Sequence, residues 1–275
     1  MATSNTLMAT DVGRRTALAA LILFAVSVQA EGPQERAKRV IDEAIAALGG
    51  SAFLNMENRT ESGRAYAFYR EKLTGLATAT IYTKYVPVSD PHDLAVRERD
   101  SFGKNREDYA DLFTDKGAWD ISYRGVRPLP EDRFPRFKES ARRNVFYILR
   151  ERLHEPGMLF ESQGADVMDN RPVEIVDITD ADNDTTTVYF DQTTKLPMRQ
   201  AFNRRNPVTK DKDEEITIFS KYRDVGGVKW PYDVQRMRNG EIIFQIYADS
   251  VKINQSLPQK LFELPAGATM LKAQD

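Results

Sequence analysis

Histidine moves protons most readily at neutral pH, and this 275-residue sequence holds only two, His92 and His154. One falls in a turn signal and the other at a helix end, neither with a nucleophile or acid at motif spacing. No G-x-S-x-G elbow and no H-E-x-x-H pair occurs, which argues against a serine or metal hydrolase. There is no cysteine, which removes thiolate nucleophiles, cysteine-rich metal sites, disulfides and lipid attachment at a cysteine. What remains is carboxylate chemistry: 41 Asp and Glu are enough for the paired acid and base of a glycosidase-type hydrolase. One acidic run resembles a metal loop. Asp180-Ala181-Asp182-Asn183-Asp184 opens like a calcium loop, with Asp191 at its twelfth position. Thr185 holds the sixth position, where glycine makes the bend, and the residues after it alternate as a strand. The expectation is therefore a hairpin tip closed by Asx turns. With no catalytic constellation, no metal site and no cofactor motif, the expectation is a binding protein rather than an enzyme.

The N-terminus points to where such a protein would work. Arg14 and Arg15 precede an apolar run of about a dozen residues, too short for the ~20 that span a bilayer. Val28-Gln29-Ala30 follows with small residues at the positions a signal peptidase reads. Residues 1–30 are expected to be a signal peptide cleaved after Ala30. The arginine pair leaves both the general and the twin-arginine export routes open. Export without disulfides suits a periplasmic protein large enough to fold without staples. The net charge of −2 gives no field for nucleic acid.

Residues 31–275 read as one domain. Ala37, Ile41, Ala44, Ile45 and Leu48 recur at three and four, predicting a helix over 34–48 that stops at Gly49-Gly50. Strands are predicted over 64–69, 78–86, 94–102 and within 108–123, from period-two runs of β-branched and aromatic residues. A second helix is predicted over 131–154. Phe134, Phe137, Ala141, Val145, Ile148, Leu149 and Leu153 form its buried stripe, while Arg136, Lys138, Arg142, Arg143, Arg150 and Arg152 form a solvated face. Strands follow over 158–168, 173–179, 185–191, 198–203, 215–222, 229–237 and 241–253, and Asn239-Gly240 marks a hairpin. Short connections make neighbours antiparallel. Tyr189-Phe190 and Ile242-Ile243-Phe244 put apolar groups on both faces of their strands. A sheet with one wet face would alternate, so something must cover each side: helices on one, a ligand or partner on the other.

The C-terminal half resembles the bacterial lipoprotein-carrier superfamily, the LolA-like and RseB-like periplasmic proteins. The resemblance rests on Asp191-Gln192-Thr193-Thr194-Lys195-Leu196-Pro197 and on the run from Tyr222-Arg223-Asp224 through Gly226-Gly227 to Trp230-Pro231. It continues in Val251-Lys252-Ile253-Asn254 with Leu257, Phe262, Glu263, Leu264 and Pro265. Ala47-Leu48-Gly49-Gly50 and the turn before Trp119 match the family's opening. The charged stretch 204–215 has no counterpart in it. The resemblance implies a mainly β fold with some α: a curved antiparallel half-barrel sheet covered by helices, its concave side lined with apolar residues. It also implies a lipid or an acylated lipoprotein as the guest, a role in outer-membrane lipoprotein sorting or envelope sensing, and an envelope protein as a further partner. Phe68, Tyr82, Trp119, Phe146, Phe219, Trp230 and Phe244 are the expected cavity lining. Two alternatives stay open: an exported carboxylate-dependent hydrolase, and a scaffold that binds protein through a sheet edge.

Overall fold

A computed structural model describes residues 31–90, 93–103, 109–206 and 209–273. The expected signal peptide and His92 lie outside the described residues. Helix α1 (Pro33–Leu48) forms where sequence spacing predicts it, and Ala37, Val40, Ile41, Ala44 and Leu48 bury as one stripe. Pro33 sits in the first turn, where its missing N–H costs nothing. Gly49, at φ 126°, ends the helix and leads through Gly50 into a short turn, α2 (Ser51–Leu54). A Cβ on Gly49 would stand 2.2 Å from the Gly227 carbonyl oxygen. The two glycine pairs that carry the resemblance thus meet in space, letting a helix end abut a strand turn.

The strands are β1 (Asn58–Tyr69), β2 (Lys72–Tyr85), β3 (Val96–Phe102), β4 (Tyr109–Thr114), β5 (Gly117–Ser122) and β6 (Gly125–Pro128). After the helical crossover come β7 (Leu159–Met168), β8 (Arg171–Thr179), β9 (Thr185–Asp191), β10 (Pro197–Arg205), β11 (Lys212–Val225), β12 (Val228–Arg238) and β13 (Glu241–Ile253). They make one antiparallel sheet in the order β6-β5-β4-β3-β2-β1-β13-β12-β11-β10-β9-β8-β7, curved but not closed into a barrel. β1 to β6 meander outward from the centre. The chain then crosses to the far edge, and β7 to β13 walk back until β13 pairs with β1. Asn254 locks that central seam: its Oδ1 accepts from the Glu57 N–H at 2.8 Å, while the Gln255 N–H donates to Asn58 Oδ1 at 2.9 Å.

The predicted helix over 131–154 is not continuous. It splits into α3 (Arg133–Arg142), α4 (Val145–Tyr147) and a π-helical turn (Ile148–Arg152). Asn144 is extended at the break, and its side chain accepts from the Phe146 N–H at 3.0 Å. The buried Gln200 of β10 takes the Val145 N–H at 2.8 Å. Beyond the break, Val145, Phe146, Ile148 and Leu149 enter the same core as α1, Phe53, Val176, Val188, Phe190, Phe219 and Trp230. α3 buries no residue fully, because open space rather than core lies beneath its Phe137.

The basic residues of this segment are not all a solvated face. Arg152, 3 % exposed, pairs with Glu155 at 2.6 Å and Asp180 at 3.0 Å. Arg143 pairs with Asp184 at 2.6 Å, and Arg142 with Glu155 at 2.7 Å. Arg150 donates to the Phe53 carbonyl at 2.7 Å and stacks 3.7 Å over Tyr85. Once the helix breaks and enters the core, several of its arginines are drawn under protein as well, and buried cations need partners. Asp180 accordingly serves Arg152, while its other oxygen closes the Asp182 and Asp184 N–H groups into an Asx turn at 3.1 Å each. The acidic run is the hairpin tip its sequence predicts.

The opposite face of β3 to β6 is covered by the chain's own C-terminal segment. Lys84 reaches over the ring of Phe262, and Ala268 packs on Leu112, Ile121 and Val126. Val126 exchanges backbone hydrogen bonds with Thr269 and Leu271, which shields the β6 edge. Part of the second cover that two-sided apolar strands demand is thus the protein itself rather than a guest.

Candidate ligand-binding cavity

Strand register decides which side chains face the concave side. Residues directly opposite one another share a face, so Glu61, Ile81, Asp100, Asp111 and Asp120 form one rung across β1 to β5. One residue along, Thr60, Tyr82, Arg99, Leu112 and Trp119 form the next rung, on the other face. The first rung borders open space, and the second borders the C-terminal segment.

The open space has two adjoining chambers. The inner one, about 160 Å³, lies between the sheet and the α3–α4 break, walled by Phe146, Phe219, Trp230 and Phe244. Phe146 is the hub of these rings. Its centroid is 5.0 Å from Phe219, 4.7 Å from Trp230 and 6.5 Å from Phe53, and only 3 % of the residue is exposed. It therefore belongs to the core and lines the chamber at once. Arg59 lies 4.1 Å over the Trp230 ring, ion-paired to Glu61, with Thr83 Oγ1 at 3.1 Å and Tyr85 Oη at 3.4 Å. Burial works against its charge, and Glu61, Tyr85 and Glu98 more than offset it. The inner chamber is walled by aromatic rings, with Arg59 held in its wall and Arg236 beside it.

The outer chamber, about 550 Å³, continues beneath α3. Phe137 stacks on Phe113 at 4.0 Å and forms part of the roof of both chambers. The walls are charged. Arg133 pairs with Asp111 at 3.2 Å; Arg204 lies 3.2 Å from Glu139 and 3.5 Å from Glu215; Arg238 pairs with Glu215 at 3.1 Å. Burial pushes the Asp100 carboxyl well above the usual carboxylate range, helped by Glu98 and Asp111 beside it. Burial also raises Glu98 against Arg59 and Arg236, and raises Asp111 against Arg133.

Of the seven aromatics predicted to line a cavity, Phe146, Phe219, Trp230 and Phe244 come together around the inner chamber. Tyr82 and Trp119 sit on the other rung, facing away. Phe68 stands by the β1–β2 hairpin end, half-buried, and lines neither chamber. Sequence reasoning missed Arg59, Phe137, Gln200 and Arg236. A signal for cavity residues was present in the period-two pattern that runs into the stretch left without a counterpart. Gln200, Phe202 and Arg204 alternate onto one face of β10, and all three line the outer chamber. Among the described residues, no group of three or more His, Asp or Glu is placed to hold a metal, and no helix is long and apolar enough to cross a membrane.

No protein-family model matches this chain, and no curated protein matches it. Solved structures do resemble it. A DUF1329 family protein from Desulfovibrio piger superposes with a TM-score of 0.55 at 12 % identity, over 82 % of this chain and 97 % of that one. A domain described as an outer membrane lipoprotein-sorting protein, from Vibrio parahaemolyticus, gives 0.53 at 9 % identity, over 83 % and 97 %. A LolA superfamily protein from Nitrosomonas europaea gives 0.50 at 12 % identity, over 82 % and 97 %. At such identities the likeness concerns architecture alone. The chain has the LolA-like fold, an open curved antiparallel sheet with helices across its concave face.

Proposed function

We propose that this chain is an exported, non-enzymatic binding protein of the bacterial envelope that holds the acyl chain of a lipid or an acylated lipoprotein in its concave cavity. The observation that carries the reading is the adjoining pair of chambers, one aromatic and one charged. The inner chamber alone is below the ~300–1,000 Å³ typical of ligand pockets, and the two together fall within it. An amphiphile suits that division, with its chain against Phe146, Phe219 and Trp230 and its polar end against the arginines. The LolA-like fold and the signal-like N-terminus support the same placement in the envelope. Mass spectrometry of organic extracts from natively purified protein tests it. Bound fatty-acyl species are expected, and a folded, ligand-free protein that takes up none on incubation with lipid would oppose the reading.

One observation favours a second reading, a carboxylate-dependent hydrolase: Asp100 and Asp111 stand directly opposite on β3 and β4, and burial raises the Asp100 carboxyl. Turnover of an ester or glycoside that Asp111→Asn abolishes would establish it.

A further inference from the structure

Five arginines and three carboxylates line the outer chamber. Arg133, Arg204 and Arg238 are committed to Asp111, Glu139 and Glu215 as described, and Arg136 pairs with Asp132 at 3.4 Å. Arg236 differs. It is exposed, it lines both chambers, and among the described residues its guanidinium has no hydrogen bond or ion pair. The ring of Phe244 lies 5.8 Å from its guanidinium. It therefore stands where the aromatic and charged spaces adjoin. The carboxylates that feel its charge are Glu98 and Asp100. Burial raises both carboxyls and the Arg236 charge opposes that rise, while neither carboxylate lies within hydrogen-bonding or ion-pair distance of it.

We infer that Arg236 binds the acidic head group, carboxylate or phosphate, of an amphiphile whose acyl chain enters the inner chamber. The inference rests on the acyl-chain reading of the cavity and specifies the ligand within it. A guanidinium suits such a head because its planar fork matches two oxygens of a carboxylate or phosphate.

The test is a fluorescence displacement titration of the exported chain with palmitate, methyl palmitate and hexadecanol, with lysophosphatidic acid as the phosphate-headed arm. The acids should bind roughly 10- to 100-fold more tightly than the ester or alcohol, the range of a charge-assisted hydrogen bond. Arg236→Gln should erase that preference, bringing acid, ester and alcohol to similar affinities, while Arg236→Lys should keep part of it. Acetate and inorganic phosphate should displace nothing at concentrations where palmitate saturates. Equal affinity for acid, ester and alcohol would overturn the inference and leave the acyl-chain reading standing. An acid preference that survives in Arg236→Gln would overturn the assignment to this residue, and displacement by free phosphate would overturn the coupling of head to chain. No binding of any amphiphile to folded protein would overturn both readings.

Discussion

Phe146→Ala should destabilise the protein by about 3–5 kcal/mol, the range for emptying a buried aromatic site. Two features place the value inside that range. The ring is almost wholly buried and makes edge or tilted contacts with Phe53, Phe219 and Trp230, each adding about 0.5–1.5 kcal/mol beyond area burial. Against this, one side of the ring already borders the inner chamber, so fewer partner atoms are lost than at a closed site. The surrounding strands and α1 hold the site open, so little of the lost contact returns by collapse. For a domain of this size each kcal/mol moves the melting temperature by ~2–4 °C, giving a fall of roughly 6–20 °C. Thermal melts followed by near- and far-UV circular dichroism measure it. A variant that melts within about 2 °C of the parent, with native spectra, would show that the ring is not packed and that the hub of this site is misplaced.

Gln200→Ala strands the Val145 N–H at the helix break, and urea titration should register a loss of about 1–3 kcal/mol. Arg152→Met should cost about 1–3 kcal/mol at neutral pH by leaving Asp180 half-buried without its cation and Glu155 with Arg142 alone. Against burial, Arg152 holds both acids below their usual range. That stability is present above the unfolded pKa and fades as pH falls through the folded one, so the parent should weaken in acid more steeply than the variant. Asp100 carries the opposite sign. Burial raises its pKa, so its ionised form is penalised in the fold. Asp100→Asn should be the more stable protein at pH 7, with the gap closing in melts carried down towards about pH 4.

The pieces legible in the sequence are turns that lock themselves. In Asp191-Gln192-Thr193-Thr194-Lys195-Leu196-Pro197, Asp191 Oδ1 accepts from the Thr193 and Thr194 N–H groups at 2.9 and 2.7 Å. Lys195 ties the turn to Glu43 of α1 at 2.8 Å, and the Tyr222 hydroxyl donates to the Pro197 carbonyl at 2.7 Å. Asn254 and the Gly49–Gly227 approach are likewise local chemistry with residue types to match. None of these groups lines the cavity. They specify the fold, which is why the resemblance anticipated the architecture.

The cavity depends on register across many strands, which no local pattern reports. Ile81 faces the chambers, and Tyr82, one residue on, faces the C-terminal segment; a period of two turns a single-residue step into a change of face. Aromatic type alone could not separate Phe219 from Trp119. The break at Asn144 was equally hidden, because the apolar spacing of 131–154 runs straight through it. The distant Gln200 completes the cap there.

Whether the cavity holds an acyl chain is decided by a titration of saturated fatty acids of increasing length. Each methylene that enters the aromatic chamber should add about 0.8 kcal/mol, roughly fourfold in affinity, until the space is filled and the series levels off. A flat series, or no binding by protein that melts as a folded domain, would contradict the account and leave a packed, guestless sheet.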